Sequence, residues 1–258
     1  MRTALVTGAA RGIGAAVAAR LADDGWQVIA TDLAADLPGV GYPLGTERQL
    51  RELAAGRPTV VPLVADVRDP HAMQRAVDLA RSEFGGLDAA VAAAAVMAGG
   101  RPLWETTDHE WDLLFEVGVR GVAHLARAAV PALLERPAPR SGRFVALASA
   151  AAHRGLWHLA GYNAAKHAVV GLVRGLAADL RGTGVTAMAV SPGSTRTAML
   201  DASADLYGLD DAEQFAQHQL VDRLLEPAEV AAAVCWLCGP DASAVTGTVI
   251  HADGGFTA

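Results

Sequence analysis

The chain has 258 residues, enough for one large domain or two small ones, and its 52% hydrophobic and 19% charged residues exclude a disordered chain. The formal net charge of −7 and the absence of any run of Lys or Arg exclude a typical nucleic-acid-binding surface. No apolar stretch reaches about 18 residues without a charge or a glycine, and no signal-peptide pattern is seen. We therefore expect a soluble, cytoplasmic protein without a membrane span.

The first predicted element is a short apolar strand, residues 3–6, that enters a glycine-rich turn. The turn reads Thr7-Gly-Ala-Ala-Arg-Gly-Ile-Gly14 and leads into a helix rich in Ala, Leu and Val. Strand, glycine turn and helix in this order are the context of a dinucleotide-binding fingerprint. Gly8 allows the tight turn, Gly12 lets the backbone approach a pyrophosphate, and Gly14 lets the helix pack on the strand. An ordinary glycine turn is the alternative interpretation.

The second predicted strand, residues 25–32, ends in an acidic residue. Asp32 lies 18 residues beyond Gly14, where its carboxylate can accept bonds from both ribose hydroxyls of an adenosine and would repel a 2′-phosphate. This position favours NAD over NADP as the cofactor. Arg11 leaves NADP open, because a basic residue in the glycine turn can also hold a phosphate.

The segment after the second strand is less regular. Residues 33–45 are rich in Ala, Gly and Pro and are expected to form a loop. Residues 46–49 form a capping-box pattern that opens a short helix. Residues 59–65 are predicted to be a third buried strand, which ends at Asp66 and Val67.

Helices and strands alternate along the remainder of the chain. A helix is predicted to begin at Asp69, with Pro70 at its first position, and to end at Gly85. The further predicted strands are residues 87–96, 142–149, 184–191 and 248–251, and the further helices are residues 106–134 and 161–180. This alternation predicts an α/β fold in a single domain over residues 1–258, a Rossmann-type, doubly wound, mostly parallel seven-stranded sheet with helices on both faces.

Candidate functional residues follow the ends of several predicted strands. The glycine turn, Asp32, Asp66, Ser149 and Pro192 all stand just after a strand. Parallel strands place their carboxyl ends at one edge of the sheet, where ligands bind in such folds. We therefore expect these residues to line one cleft.

Tyr162 and Lys166 are four residues apart, so on a helix they share one face. A lysine beside a phenol stabilises the phenolate and lowers its pKa from about 10. With Ser149 holding the oxygen, such a phenol would pass a proton to or from an alcohol or a ketone. A surface lysine with a half-buried tyrosine is the alternative for the pair alone.

The two cysteines, Cys235 and Cys238, lie in a late segment with helical periodicity. There is no second cysteine pair to complete a metal site. We interpret them as small apolar residues of a packed helix rather than as a redox pair or metal ligands.

Together these motifs resemble those of the single-domain short-chain dehydrogenases/reductases, over essentially the whole chain. The glycine turn resembles the family's T-G-x-x-x-G-x-G motif. Ser149, Tyr162 and Lys166 match its catalytic serine and Y-x-x-x-K pair, with a spacing of 13 between serine and tyrosine. Asp66 and Val67 stand where the family contacts the adenine ring. Residues 192–197 resemble the segment under the nicotinamide, where Thr197 would meet the carboxamide, and residues 253–255 resemble the C-terminal signature.

The resemblance implies NAD-dependent hydride transfer to or from a secondary alcohol or ketone, with no metal. Tyr162 would act as acid or base, Lys166 would lower the Tyr162 pKa and hold the nicotinamide ribose, and Ser149 would bond the substrate oxygen. The cofactor-binding residues that it implies are Gly8, Arg11, Gly12, Ile13, Gly14, Asp32, Leu33, Asp66, Val67, Ala93, Ala94, Tyr162, Lys166, Pro192, Gly193, Thr195 and Thr197.

The chain departs from the family pattern in two places. Residues 92–95 are four alanines where the family has N-N-A-G, so side-chain hydrogen bonds are lost. Gly118 stands where the family's long helix has an Asn, whose backbone holds a water that relays protons to the active-site lysine. We expect a slower or rerouted proton relay rather than an inactive enzyme.

Residues 33–58 are expected to be an insertion near the cofactor, similar to that of the carveol-dehydrogenase-like, mycofactocin-associated subgroup. In that subgroup the insertion covers the NAD, which is held tightly. A plain surface loop is an equal alternative.

The substrate is expected to be a hydrophobic secondary alcohol or ketone, such as a terpenoid, a steroid or another alicyclic compound. Met97, His153, Trp157 and Met199 are predicted to contact it, with Trp157 as an apolar wall. Residues 194–222 are predicted to form a substrate loop or lid.

A non-catalytic or impaired NAD(H)-binding protein that senses redox state is the main alternative, motivated by Gly118 and the alanine run. The intact Ser149, Tyr162 and Lys166 argue against it. The glycine spacing argues against a sugar-nucleotide epimerase. The resemblance also implies a homo-oligomer, a tetramer or dimer, that pairs through the helices around residues 106–134 and 162–180.

Overall fold

The centre of the molecule is a sheet of seven parallel strands, seen in a computed structural model that describes all 258 residues. The strands are β1 (Thr3–Thr7), β2 (Gln27–Asp32), β3 (Val60–Val64), β4 (Ala89–Ala92), β5 (Arg143–Leu147), β6 (Thr186–Pro192) and β7 (Val249–Ala252). They lie in the order β3-β2-β1-β4-β5-β6-β7. The helices are α1 (Gly12–Asp23), α2 (Glu47–Ala54), α3 (Pro70–Phe84), α4 (Asp108–Phe115), α5 (Gly121–Glu135), α6 (Ala160–Asp179), α7 (Ala198–Tyr207) and α8 (Pro227–Cys238).

Alternate side chains of the interior strands enter two separate cores, one on each face of the sheet. On β1, Leu5 packs with residues of α3, α5 and α6, whereas Ala4 and Val6 pack with residues of α1 and α8. All three side chains are fully buried. Burial on both faces explains why the strands are continuous apolar runs, and it confirms the predicted doubly wound sheet.

Two strands differ from their predictions. β3 is not a buried strand but the edge strand, and Val64 is 49% exposed because no strand lies beyond it. β4 ends at Ala92 rather than at residue 96, because the next two amides leave the sheet ladder. The N–H groups of Ala93 and Ala94 donate instead to the Thr7 hydroxyl, at 3.1 and 3.3 Å.

The predicted long helix begins at Asp108, ends at Glu135 and contains one irregular turn. Residues Glu116–Arg120, between α4 and α5, form a π-helical turn that includes Gly118. By length and composition this helix could cross a membrane, but 56% of its apolar window is buried inside the fold. Its buried side chains, among them Leu125 and Leu133, belong to the main core, so it is accounted for as a core helix.

Because all strands run in one direction, their carboxyl ends meet at one edge. The glycine turn follows β1, Asp32 ends β2, Ser149 follows β5 and Pro192 ends β6. The fold therefore brings these residues to the same side of the molecule. Both cysteines lie far from that edge along α8, unpaired and buried, and burial raises the pKa of both thiols.

Candidate active site

A cavity of about 270 Å³ opens at the carboxyl edge of the sheet. It is lined by the glycine turn, by the strand ends, by the first turns of α6, and by the segment after β6. The structure places every predicted catalytic and cofactor-binding residue in its wall, together with Met97 and Met199. The residues proposed from separate motifs therefore share one site.

The glycine turn has the geometry that a dinucleotide requires. Gly8 has a φ of +66°, and a Cβ there would lie 2.7 Å from the Cα of Ala94. A Cβ on Gly14 would lie 2.0 Å from the carbonyl oxygen of Gly8, so only glycine lets α1 start this close to β1. The first amides of α1, those of Gly12, Ile13 and Gly14, precede the first helical hydrogen bond and point to the cavity end of the helix.

Asp32 is held in place by backbone amides on both sides. Its carboxylate accepts from Ala10 N and Ala34 N, both at 3.0 Å. The Arg11 guanidinium, which could have held a 2′-phosphate, donates instead to the carbonyl of Pro43. This arrangement suits an adenosine ribose with free hydroxyls better than one with a phosphate.

Ser149, Tyr162 and Lys166 lie together at the base of the cavity. The Ser149 hydroxyl accepts from Ala151 N at 3.1 Å and so caps the turn that follows β5. Lys166 Nζ lies 5.6 Å from the centroid of the Tyr162 ring and donates to the carbonyl of Leu147 at 3.0 Å. One helix thus presents the phenol and the amine, and one strand end presents the serine.

The pKa of Tyr162 differs from the sequence-based expectation. Burial raises it to about 12, and the facing Ser149 side chain offsets this only in part. Burial also lowers the pKa of Lys166 to about 8. Lys166 does not lower the pKa of Tyr162 in this structure. The effect of burial on the phenol is the largest one, and the Lys166 amine is bonded to the Leu147 carbonyl.

Asp66, predicted to contact the adenine ring, is engaged by a neighbour. Its carboxylate accepts from the Arg68 backbone at 2.9 Å and from the guanidinium at 2.6 to 3.0 Å. Burial raises the pKa of this carboxyl, but the bonds from Arg68 outweigh that effect and lower it. Asp66 is thus an anionic, fixed rim of the cavity, and its adenine contact stays a prediction.

His153 and Trp157 do not reach the cavity, contrary to their predicted contact with substrate. His153 Nε2 is 2.8 Å from Ser191 Oγ, and its ring lies 4.5 Å from that of His251. Trp157 is 69% exposed and stacks on His158 with ring centroids 3.4 Å apart. These two side chains pack on neighbours instead, although Leu156 and Leu159 of the same loop line the cavity.

Several cavity residues were missed by sequence reasoning. Residues 36–46, which we call the strap, contribute Leu37, Tyr42, Leu44 and Gly45. The strap is tied down where Leu44 N donates to Asp36 at 2.8 Å, where Arg11 donates to Pro43, and where Met97 N donates to the Tyr42 hydroxyl at 3.0 Å. The other missed lining residues include Leu156, Leu159 and Phe256.

Phe256 is placed by the C-terminal turn. The Asp253 carboxylate accepts from Gly255 N at 3.0 Å, from Thr257 N at 3.1 Å and from the Thr257 hydroxyl at 2.5 Å. This closed turn sets Phe256 against the cavity. The Asp-Gly-Gly signature was therefore the signal that could have indicated the residue.

Comparisons with known proteins give one consistent family. A family model described as Enoyl-(Acyl carrier protein) reductase matches residues 8–257. The (−)-trans-carveol dehydrogenase of Rhodococcus erythropolis is 34% identical over 272 aligned residues, covering 99% of this chain and 97% of the relative. The A-factor type gamma-butyrolactone 1′-reductase (1S-forming) of Streptomyces virginiae is 36% identical over 259 residues, covering 99% and 95%.

A solved structure has the same fold over nearly the whole chain. Carveol dehydrogenase from Mycobacterium avium in complex with NAD superposes with a TM-score of 0.93 at 30% identity, covering 99% of this chain and 97% of that one. The chain belongs to the short-chain dehydrogenase/reductase family. The resemblance and the Rossmann-type fold predicted from the sequence are confirmed, and the named relatives are dehydrogenases and reductases.

The alanine run is a departure from the family pattern that the structure explains in part. The Thr7 hydroxyl accepts from the amides of Ala93 and Ala94, so the end of β1 braces the end of β4. The backbone thus retains bonds at this junction although residues 92–95 carry no polar side chain.

Gly118, the second departure from the short-chain dehydrogenase/reductase pattern, lies in the π-helical turn beside α6. A Cβ added there would meet only the Cβ of Ala165, at 4.0 Å. The turn therefore forms without an Asn side chain, and a Cβ at this position would meet no clash.

Lys166 is the single lysine among 21 basic residues of the chain. Everywhere else the chain uses arginine, whose charge does not titrate in proteins. An amine with a pKa near 8 gains and loses its proton in the working range, and a guanidinium does not. This position therefore retains the one side chain that meets that need.

We expect selective ¹⁵N labelling of lysine to give one side-chain signal that titrates near pH 8.

The pKa of Lys166 in the folded protein lies below the ordinary 10.5. Between about pH 8 and pH 10.5 the folded state therefore binds fewer protons than the unfolded state, and the free energy of unfolding rises with pH across that window. At pH 7 the Lys166→Met variant should be more stable than the parent by ~1–3 kcal/mol, because a buried charge is removed. The advantage should shrink as the pH approaches 10.5.

The Lys166→Arg variant is the control, since it keeps the charge and should show no gain. Denaturant unfolding at several pH values measures all three proteins. A Met variant that is no more stable than the parent at pH 7, or an amine that titrates above 10, would contradict the assignment.

Proposed function

We propose that this protein is a NAD-dependent oxidoreductase that transfers a hydride between the nicotinamide and a hydrophobic secondary alcohol or ketone. The observation that carries this proposal is a single cavity shared by the glycine turn and Asp32 on one side and by Ser149, Tyr162 and Lys166 on the other. A cofactor site and an acid–base group therefore meet where a substrate can lie between them.

The cavity residues fit NAD in three respects. The first amides of α1 are free for a pyrophosphate, Gly8 and Gly14 keep the backbone clear of side chains, and Asp32 faces the ribose end. When bound, NAD supplies the nicotinamide carbon that takes up or gives the hydride. The relative from Mycobacterium avium, solved with NAD, supports this cofactor.

Tyr162 gives its phenolic proton to the carbonyl oxygen during reduction and takes it back from the hydroxyl during oxidation. Its pKa of about 12 keeps the phenol protonated at neutral pH, as reduction requires. Ser149 bonds the same oxygen. Lys166 would hold the nicotinamide ribose, and its charge would favour the phenolate when the proton has left.

The substrate end of the cavity is apolar, which supports a hydrophobic substrate. Met97, Leu159 and Tyr162 form a small buried cluster, with Leu156 and Met199 packed against it. Thr197 caps α7 by accepting from Leu200 N at 3.3 Å, so the residue predicted to meet the carboxamide also fixes the start of the lid helix. We propose residues 194–222 as the lid.

The redox-sensing alternative is not favoured. A sensor needs the glycine turn and Asp32 but not three reactive side chains at the other end of the cavity. We also propose a cytoplasmic homo-oligomer, as the family resemblance implies. Membership of the mycofactocin-associated subgroup is supported by the strap and by the carveol dehydrogenase relatives.

Hydride transfer with NAD(H) and NADP(H) over a panel of alicyclic secondary alcohols and ketones tests the proposal. We expect turnover with NAD(H), and we expect Tyr162→Phe to lower kcat by at least ~100-fold, because the acid–base group is lost. NAD binding and the circular dichroism spectrum should be retained in that variant. Activity untouched by the substitution would refute the mechanism, and NAD binding without any turnover would favour the sensor.

We propose that the strap covers the bound NAD, which is one of the two roles that the sequence left open for residues 33–58. NAD should then remain with the protein through purification and dialysis. Arg11→Met removes the tie to Pro43 and should speed NAD release by about tenfold, the loss of a charge-assisted bond. Arg48→Met, on the exposed face of α2, is the matched control. An empty parent that exchanges NAD rapidly would contradict the covering role.

We propose that Gly118 leaves proton return to Lys166 slow. Gly118→Asn should then raise turnover or shift its pH profile, because a Cβ meets no clash there and Asn restricts the backbone more than glycine does. Gly118→Ala is the control. It removes the destabilisation of about 1 kcal/mol that a glycine causes inside a helix, but it adds no side-chain amide. If Asn and Ala variants both match the parent in turnover and pH profile, the hypothesis is wrong.

A further inference from the structure

Tyr42 brings a second phenol to the cavity from the strap. Its ring packs against the buried cluster that contains Met97, Leu159 and Tyr162, and it lines the cavity. The two phenols are near enough that the presence of Tyr42 raises the pKa of Tyr162. Tyr42 therefore belongs to the substrate end of the cavity, although it comes from the segment next to the cofactor.

The Tyr42 hydroxyl has one bond within the protein and can make another. Its oxygen accepts from Met97 N at 3.0 Å, and no protein atom accepts its proton. Burial raises its pKa, with the Met97 bond and the Arg11 charge offsetting this in part, so the phenol stays protonated. It is a hydrogen-bond donor without an acceptor, held at the wall of a cavity.

The direction of that proton follows from the geometry of a phenol. The O–H bond lies in the plane of the ring, so when the Met97 amide occupies one side of the oxygen, the proton points to the other side. The ties of the strap at Asp36 and Arg11 hold the backbone around Tyr42 in place. The donor is thus preorganised before any ligand enters.

The reacting oxygen of a substrate does not need this donor. A carbonyl oxygen has two lone pairs, and Ser149 and Tyr162 fill both. Because those two donors leave no lone pair for a third, the acceptor for the Tyr42 proton is a different atom of the ligand.

We propose that Tyr42 is a specificity-determining residue that donates a hydrogen bond to a second oxygen of the substrate. The enzyme would then prefer alicyclic ketones and alcohols that carry an additional ether, hydroxyl or carbonyl oxygen over their hydrocarbon analogues. The inference rests on the proposed function, and it names the substrate class of that site.

The test compares isosteric ketones in single-turnover reduction by bound NADH. The 2-, 3- and 4-methoxycyclohexanones each have an ethylcyclohexanone of the same shape that lacks the second oxygen. For at least one ring position we expect the parent to prefer the methoxy compound in the second-order rate constant of reduction. Tyr42→Phe should lower that preference by about tenfold, the effect of losing one hydrogen bond to a buried donor.

The ratio of the two substrates separates specificity from structure. Tyr42→Phe also leaves Met97 N without its acceptor, but any loosening of the strap acts on both members of a pair and cancels in the ratio. Tyr207→Phe is the matched control, because the Tyr207 hydroxyl donates to the Trp157 carbonyl at 2.7 Å and has no free proton. Its methoxy-to-ethyl ratios should equal those of the parent.

The outcomes distinguish this inference from the proposed function. A parent that reduces these ketones without preferring methoxy at any position overturns the role of Tyr42, whether or not the Phe variant folds. Equal ratios in the parent and in Tyr42→Phe overturn it as well. A parent that binds NAD but reduces none of the six ketones, and oxidises none of their alcohols, refutes the proposed function for this class and the inference with it.

Discussion

The parallel pairing of β1 with β4 is the constraint on which the site depends. After β1 the chain turns to one face of the sheet, and after β4 it turns to the other, so a crevice opens between them. Thr7 bonds the two strand ends together, and Gly8 lies so close to Ala94 that a side chain there would collide with its backbone. The glycine turn, the strap and the substrate wall are all positioned relative to this junction.

Two titratable groups at the catalytic end of the cavity are buried away from water. Lys166 is 4% exposed with one carbonyl partner, and Tyr162 is 9% exposed. Burial disfavours the charged form of each, which raises the pKa of the phenol and lowers the pKa of the amine. Buried charge is a poor means of stabilising a fold, so the retention of the only lysine here is explained by its chemistry rather than by its contribution to stability.

The parts of the site that follow strand ends were predictable, and the parts on long loops were not. Asp32 and Ser149 could be placed because parallel strands share an edge, and Tyr162 with Lys166 because helical spacing fixes their common face. Loop side chains carry no such period. The loop after Ser149 passes through a positive φ of 57° at His158 and turns Trp157 outward, whereas the strap folds inward. The exposure of β3 likewise depends on strand order, which the sequence pattern does not specify.

The strap and the catalytic side chains line the same cavity. Tyr42 is fixed through its bond to Met97, which lies beyond the end of β4, so the junction that opens the crevice also sets the position of the second phenol. The π-helical turn that contains Gly118 packs against α6, the helix that carries Lys166. Lys166 donates to the Leu147 carbonyl and to no side chain, which is why we propose that the neighbouring turn around Gly118 affects how fast its proton is replaced. Under the two proposals, substrate recognition depends on the strap and proton return depends on the helix backbone, and the phenol of Tyr162 is where the two meet.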